Sequence, residues 1–391
     1  MSRLFAIGDV TSRVDTWDPL NSMSSEPFHY IDISSVDREL KAVSATQLIM
    51  PSDAPSRARQ IVKSGDILVS TVRPNLNAVA EVPEQLCGAT ASTGYCVLRP
   101  DPEQIDSRYL FFWVRSTVFV NEMIKRATGA SYPAVSDRIV KDSKIPTPPL
   151  PEQKRIAAIL DKADSIRRKR QEAVRLTEEL LRSVFLDMFG DPVTNPKGWE
   201  EVTIRDLVTE VKYGTSDKAS YEGKYPVLRM NNITYLGGWN FTDLKRIDMP
   251  EKELSKYLVR KGDILFNRTN SKELVGKTAV YRRENPMAYA GYLIRIRPNK
   301  HNNNEFIAAY LNSAHGKKIL ENMCKNIVGM ANINAQELQD IPILHPPAEL
   351  QNQYAALVHS VEKAKEKLIT SFEVTDTLFS SLLQRAFNGE L

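Results

Sequence analysis

Residues 149–190, PLPEQKRIAAILDKADSIRRKRQEAVRLTEELLRSVFLDMFG, contain neither proline nor glycine between Pro151 and Gly190. A run of this kind predicts one long helix. Pro151 suits the first helical turn, where its missing N–H has no partner to lose. Gly190 suits the left-handed position past the end, and Asp191-Pro192 stops the chain. Ile156, Ile159, Ala163, Ile166, Ala173, Leu180 and Val184 recur at alternating spacings of 3 and 4 once Arg170 and Thr177 are counted in. That is a heptad seam, the signature of a coiled coil. About 38 residues at a helical rise of 1.5 Å make a rod ~57 Å long.

The seam needs a partner, and the chain holds a second copy 198 residues on. There the seam reads Tyr354, Leu357, Val361, Ala364, Leu368, Ser371, Thr375, Leu378 and Leu382. Ala157, Ala158, Ser183 and Phe189 recur at this shift as Ala355, Ala356, Ser381 and Phe387. The segments before the helices repeat as well. A helical turn is expected at Ile7 to Val10 and again at Ile204. Residues 61–70, IVKSGDILVS, read as strand, Gly-Asp turn, strand, and 258–266, LVRKGDILF, restate them. Residues 94–100 and 291–298 are expected as strands ending in proline, and 109–127 and 306–323 as one helix each.

The expected fold class is α+β. Two similar mixed α/β domains alternate with two long antiparallel coiled-coil helices in a pseudo-two-fold internal repeat. The boundaries are 1–146 for the first domain, 147–190 for the central helix, 191–343 for the second domain and 344–391 for the C-terminal helix. Antiparallel pairing would set the two globules at opposite ends of a rod. Such a two-fold object suits a two-fold ligand such as duplex DNA read as two half-sites. It equally suits a two-headed scaffold that binds proteins.

Charge narrows this only partly. The chain carries net +4, distributed as −1 over residues 1–150, +2 over 151–190, +5 over 191–347 and −2 over 348–391. That is too little to hold nucleic acid by charge alone, so DNA binding would need shaped local patches. Cys87, Cys96 and Cys324 form no CxxC pair, and five scattered histidines suggest no metal site. No apolar run approaches the roughly 20 residues that span a bilayer, and MSRLFAIGDV is too briefly apolar for a secretory signal, so a cytoplasmic protein is expected.

Catalytic motifs are missing. Gly276-Lys277-Thr278 echoes a phosphate loop, but Ser271 stands where its first glycine belongs. No GxGxxG follows a strand. Residues 285–289, NPMAY, lack the second proline of an adenine-methylase motif and read as a turn. Asp142-Ser143-Lys144 lacks the preceding acidic turn of a nuclease site. No catalytic residue and no metal ligand is assigned.

The candidates for reading DNA follow the Gly-Asp turn strands. In the first domain they are Thr71, Arg73, Asn75 and Asn77, in the second Asn267, Arg268, Asn270 and Lys272. Arginine can grip guanine O6 and N7 with two bonds, and asparagine can grip adenine N6 and N7. Asparagine also simply favours turns. Further candidates are Ser131, Tyr132, Arg229, Asn231, Asn232, Asn332 and Asn334. Candidate phosphate contacts, which position without specifying, are Arg57, Arg59, Lys63, Lys212, Lys218, Arg260 and Lys261. Residues 167–170, RRKR, read as a solvated helix face, except that Arg170 points into the seam and can fix its register.

The run 148–157, PPLPEQKRIA, the helix end 181–192 with its Gly-Asp-Pro stop, and the twice-used KGDIL-type turn together resemble the DNA specificity subunit of type I restriction–modification systems. The resemblance covers essentially the whole chain. It implies two target-recognition domains, each reading one half of a bipartite, asymmetric DNA site. It implies long helices that set the spacer and dock two modification (methyltransferase) subunits, with restriction and translocation subunits as further partners. No cofactor is implied on this chain; S-adenosylmethionine, ATP and Mg would sit on the partners. Residues 346–351, PPAELQ, lack the LPEQK run, so the docking expectation rests on the first helix.

Overall fold

The computed structural model describes residues 3–23, 25–324 and 329–391. The chain divides into two compact units, Met1–Glu172 with Ile369–Leu391, and Ala173–Leu368. Each unit therefore holds one α/β domain and a half of each long helix.

In the first unit the central sheet runs in the order Thr11–Ser12, Tyr95–Pro100, Ile67–Ser70, Val79–Glu81, Ala42–Val43, Val36–Asp37. Ile67–Ser70 is buried throughout because both its faces are covered, which is why it reads as a continuous apolar run rather than an alternating one. Ile67 and Val69 join the core that contains the helices, while Leu68 joins Ala80, Tyr95 and Val97 in a second core. A four-stranded sheet lies in the order Gln47–Ile49, Phe28–Ile31, Thr90–Ser92, Ala58–Ile61. Arg3–Ala6 pairs antiparallel with Lys144–Thr147, closing the domain where its chain enters and leaves.

The second unit repeats the plan. Its sheet runs Val208–Tyr213, Leu293–Pro298, Ile264–Asn267, Thr278–Val280, and Glu200–Thr203 closes against Pro342–His345. A further sheet runs Lys245–Ile247, Tyr225–Leu228, Met287–Tyr289, Leu258–Val259. Ile264 and Phe266 face one core and Leu265 the other, as in the first unit.

Each helix expected over 109–127 and 306–323 is two helices. Ser107–Trp113 and Thr117–Arg126 are separated where the Ser116 hydroxyl accepts the Phe119 N–H. Asn304–Asn312 and Ala314–Met323 are separated where Ser313 accepts the Gly316 N–H. A serine N-cap starts a new helix because its side chain satisfies a donor that the first turn leaves free.

The long helices are Leu150–Phe189 and Ala348–Asn388. Within each unit their halves pair antiparallel. In the first unit Arg155 donates to the Leu391 carbonyl at 2.8 Å, and Arg170 to the Ser371 carbonyl at 2.7 Å and to the Thr375 hydroxyl. In the second, Lys365 meets Glu178 at 2.7 Å, and Phe185 and Phe189 pack on Tyr354.

The seam differs from the expected one at alternate positions. Ile156, Ile159, Ala163, Val184, Tyr354, Val361, Leu368 and Leu382 are at least partly buried. Ile166, Leu180, Leu357 and Leu378 face solvent instead. The inward residues lie one position later: Leu160, Arg167, Val174 and Leu181 on the first helix, Val358, Lys365, Phe372 and Phe379 on the second. Arg167 and Lys365 explain the displacement. Apolar periodicity passes over a charged residue and selects its neighbour, yet here Asp164 at 3.0 Å and Glu178 at 2.7 Å neutralise these charges where they lie. Arg167 is therefore not part of a solvated face.

Both long helices start on a buried glutamine. Gln153 accepts the Asp106 N–H at 2.9 Å and donates to the carbonyls of Pro148 and Gln104. Gln351 accepts the Asn303 N–H at 2.8 Å and donates to the Pro346 carbonyl and the Asn302 side chain. The glutamine of the PEQ run thus ties helix to domain, and it persists in the second copy although the flanking residues differ. Among the described residues no helix is long and apolar enough to cross a membrane.

Candidate nucleic-acid interface

The repeated Gly-Asp turn is a structural device that aims the loop after it. Gly65 and Gly262 take φ of +82° and +93°, which glycine adopts without strain. The buried Asp66 carboxylate accepts the Lys63 N–H at 2.8 Å and a two-pronged contact from Arg99 at 3.0 and 2.9 Å. Asp263 does the same with the Arg260 N–H at 2.8 Å and Arg297 at 2.8 and 3.2 Å. Two charge-assisted bonds in parallel fix orientation as well as distance. The strands Ile67–Ser70 and Ile264–Asn267 leave these turns in a defined direction, and each delivers a loop to the surface.

In the first unit that loop joins a second one. Val72 bridges Ala134, and the Arg73 N–H donates to the Pro133 carbonyl at 2.7 Å. Arg73 has φ of +50° and lies with its guanidinium 4.5 Å over the ring of Tyr132, which is 69% exposed. Arg73, Asn75, Ser131 and Tyr132 thus all lie exposed on these two loops. Two candidates are corrected. Thr71 is buried, with its hydroxyl given to the Gly94 carbonyl at 2.9 Å. Asn77 is turned inward, donating to the Arg115 carbonyl while its own carbonyl accepts from Lys41. Both side chains are engaged in holding the loop.

The second unit builds the same pair of loops. Thr269–Asn270 pairs antiparallel with Ala331–Asn332, and the Ile333 N–H donates to the Arg268 carbonyl at 2.9 Å. Arg268 lies 4.8 Å over the Tyr213 ring. Asn332 is exposed, and Asn270 and Lys272 are half-buried. Four candidates here are corrected. Asn267 is wholly buried and donates to the Leu274 carbonyl. Asn334 caps Ala335–Gln339, accepting the Gln336 and Glu337 N–H groups. Asn232 is buried, accepting the Arg229 N–H and donating to the carbonyls of Asn240 and Asp243. Arg229 is held by Asp243 at 2.7 Å. Asn231 remains exposed.

Of the candidate phosphate contacts, Arg57, Lys63, Lys218 and Arg260 are exposed. Arg59 is instead engaged with Asp18 at 2.9 Å, Lys212 with Glu210 at 2.8 Å, and Lys261 with Glu284. Exposed pairs of this kind exchange readily for phosphate, whereas Arg59 is half-buried and its ion pair joins two parts of the domain. Lys277, in the false phosphate loop, is buried and donates to the carbonyls of Met230 and Ile233. Burial pushes its ammonium down from the usual lysine range.

Sequence reasoning passed over Tyr213, Tyr221 and Tyr292, all exposed, with Lys245 at 5.2 Å over the Tyr221 ring. Tyr292 was hidden by a one-residue misalignment. Matching Gly94 to Gly291 equates Tyr292 with Tyr95, but strand pairing puts Leu293 opposite Asn267 where Tyr95 lies opposite Ser70. One residue of slip turns a side chain to the other face. Tyr95 is accordingly buried, with its hydroxyl on the carbonyls of Asp32 and Ile33, while Tyr292 is out.

Residues 53–176 and 196–371 match the family described as type I restriction modification DNA specificity domain. This chain belongs to that family. The match covers both repeats, including both Gly-Asp turns and both loop pairs. Among similar proteins, the type I restriction enzyme EcoKI specificity subunit of Escherichia coli is 24% identical over 368 residues, 88% of this chain and 79% of that one. The StySPI specificity subunit of Salmonella potsdam is 23% identical over 376 residues, with the same coverage. A solved chain from work on complex assembly and conformational transition of the type I R-M system is 26% identical. It aligns over 100% of this chain and 98% of its own, with a TM-score of 0.54. The type I S subunit of M. genitalium shares the fold, with a TM-score of 0.57 over 98% and 96% of the two chains at 14% identity. These likenesses favour sequence-specific DNA recognition over a protein-binding scaffold.

Proposed function

We propose that this chain is the non-catalytic, sequence-specific DNA-binding subunit of a type I restriction–modification system, and that each domain reads one half of a bipartite, asymmetric site. The observation that carries this reading is the duplicated loop pair. Both units project an arginine and an asparagine from a pair of loops set by a buried Asp–Arg contact. Each arginine lies over an exposed tyrosine, Tyr132 from the loop pair itself in the first unit and Tyr213 from the end of a neighbouring strand in the second. Arg73 and Asn75 in the first unit, and Arg268, Asn270 and Asn332 in the second, are the proposed base readers. Arg57, Lys63, Lys218, Arg260 and, after exchange of their surface ion pairs, Lys212 and Lys261 are the proposed phosphate contacts. The long helices dock two modification subunits, which bring S-adenosylmethionine. Restriction and translocation subunits bring ATP and Mg. The assembly works in the cytoplasm.

Affinity for a randomised duplex pool, followed by sequencing of the bound fraction at two salt concentrations, tests this. The expected result is enrichment of a split motif, with affinity falling steeply as salt rises through counterion release. A pool that emerges without sequence preference, at any salt, would remove the reading and leave the scaffold alternative.

A further inference from the structure

We infer that each half-site contains a G·C pair read by an arginine held over a tyrosine ring, Arg73 over Tyr132 and Arg268 over Tyr213, with the tyrosine as positioning residue. This rests on the DNA-binding reading above.

Most arginines near the two domains' sheets are committed to carboxylates: Arg99 to Asp66, Arg108 to Asp161, Arg282 to Glu305 and Arg297 to Asp263. Among the described residues, Arg73 and Arg268 have no such partner within ion-pair distance. Their backbones are nevertheless clamped. Arg73 is fixed by its N–H on Pro133 and by Pro74 behind it. Arg268 donates its N–H to the Tyr292 carbonyl at 3.0 Å and accepts from Ile333. Its Nε is buried without an acceptor among the described residues, and its Nη1 reaches only the Gly291 carbonyl, at 3.5 Å. Nη1 and Nη2 are therefore the donors it has to offer an incoming acceptor pair.

Stacking on an aromatic face restricts a long side chain before it binds and leaves the N–H edge free. Guanine O6 and N7 present two acceptors to that edge. Adenine presents one acceptor and one donor, so the fork discriminates between them.

The two tyrosines do not occupy the same place in the repeat. Tyr132 comes from the loop at 129–135, where the second copy has Met330 at the 198-residue shift. Tyr213 ends the strand Val208–Tyr213, where the first copy has Asp15 at that shift. The fold therefore does not dictate an aromatic residue at either position. The same arginine–ring pair has been assembled from two different places, which points to the pair itself as the requirement.

The test uses the full chain in complex with its methyltransferase subunits, with a randomised-duplex selection for each variant. Arg73→Ala is expected to relax one G·C position in one half-site by roughly 10- to 100-fold. Tyr132→Leu is expected to relax that same position about 10-fold without changing the melting temperature, since Tyr132 is exposed, and Tyr132→Phe to restore it. Tyr213→Leu should act on the other half-site only. Unchanged preference in Tyr132→Leu, loss spread evenly over all positions, or relaxation at an A·T pair would each overturn the inference while leaving the DNA reading intact. A wild-type complex that selects no sequence would instead overturn the DNA reading, and this inference with it.

Discussion

A carboxylate taken out of water persists only where its partners replace the water. Asp66 is such a case, with one backbone N–H and the Arg99 fork, and removal of the side chain leaves the guanidinium facing a cavity. Asp66→Ala is expected to destabilise the first unit by about 3 kcal/mol, the lower end for breaking a buried ion pair. Calorimetry checks the size, and the second unit's hydrogen-exchange protection should stay unchanged. Lys41 gives a pH dependence. Burial, then Arg115 and Arg167, lower its ammonium to about 8 from 10.5. The unfolded chain therefore holds more protons than the folded one between about pH 8 and 10.5, and stability from this group rises with pH across that window. Lys317 in the second unit, lowered to about 8 by burial, then Lys277 and Arg182, acts in the same direction. Denaturant titrations at pH 8 and 10 should show a gain that shrinks in Lys41→Met and shrinks again in the double variant with Lys317→Met. At this scale the sequence was a poor guide to the interface. Asn75 and Asn267 look equally suited to a base edge, but one is exposed and the other wholly buried, because burial is set by what packs over the loop and not by the residue type.

A helix is joined to a domain by whatever satisfies its first turn. Gln153 and Gln351 perform that task with matching hydrogen bonds, so Gln153→Ala and Gln351→Ala should destabilise their respective units by similar amounts. The expected loss is about 1–3 kcal/mol each, from stranded backbone groups, read by thermal unfolding of each variant. An effect in one unit only would mean that the two junctions are not equivalent. The elements themselves were largely legible. The long helices, the Gly-Asp turns and the proline-ended strands all announce themselves by period, turn residues or stop signals, although the strands on either side of each Gly-Asp turn belong to different sheets. The errors at this scale share a cause. Apolar spacing selects Ile166 over Arg167 for the seam and runs one helix through Ser116, because it cannot register a charge neutralised in place or a hydroxyl that caps. Asp164 shows how complete that neutralisation is: burial alone would raise its carboxyl, yet Arg115, Arg168 and Arg167 hold it at about 2.

The chain's ends belong to its beginning. Phe379, Leu383 and Ala386 share a core with Phe112, Trp113 and Leu160, although more than 200 residues separate them. Deleting residues 369–391 is therefore expected to unfold the N-terminal domain rather than the C-terminal one. Hydrogen exchange should show protection lost in 67–70 and 95–100 and kept in 264–267 and 293–298. The opposite pattern would mean that the second long helix contributes little to the first unit. The sequence alone determined the duplication, the alternation of domain and long helix, and the family, because these rest on repeated local signals that survive without contacts. Only the tertiary structure decided how each unit is assembled from distant segments, which charges lie inside, and which loop residues reach solvent. Those outcomes depend on packing between residues far apart in the chain, and no local pattern encodes what lies across the fold.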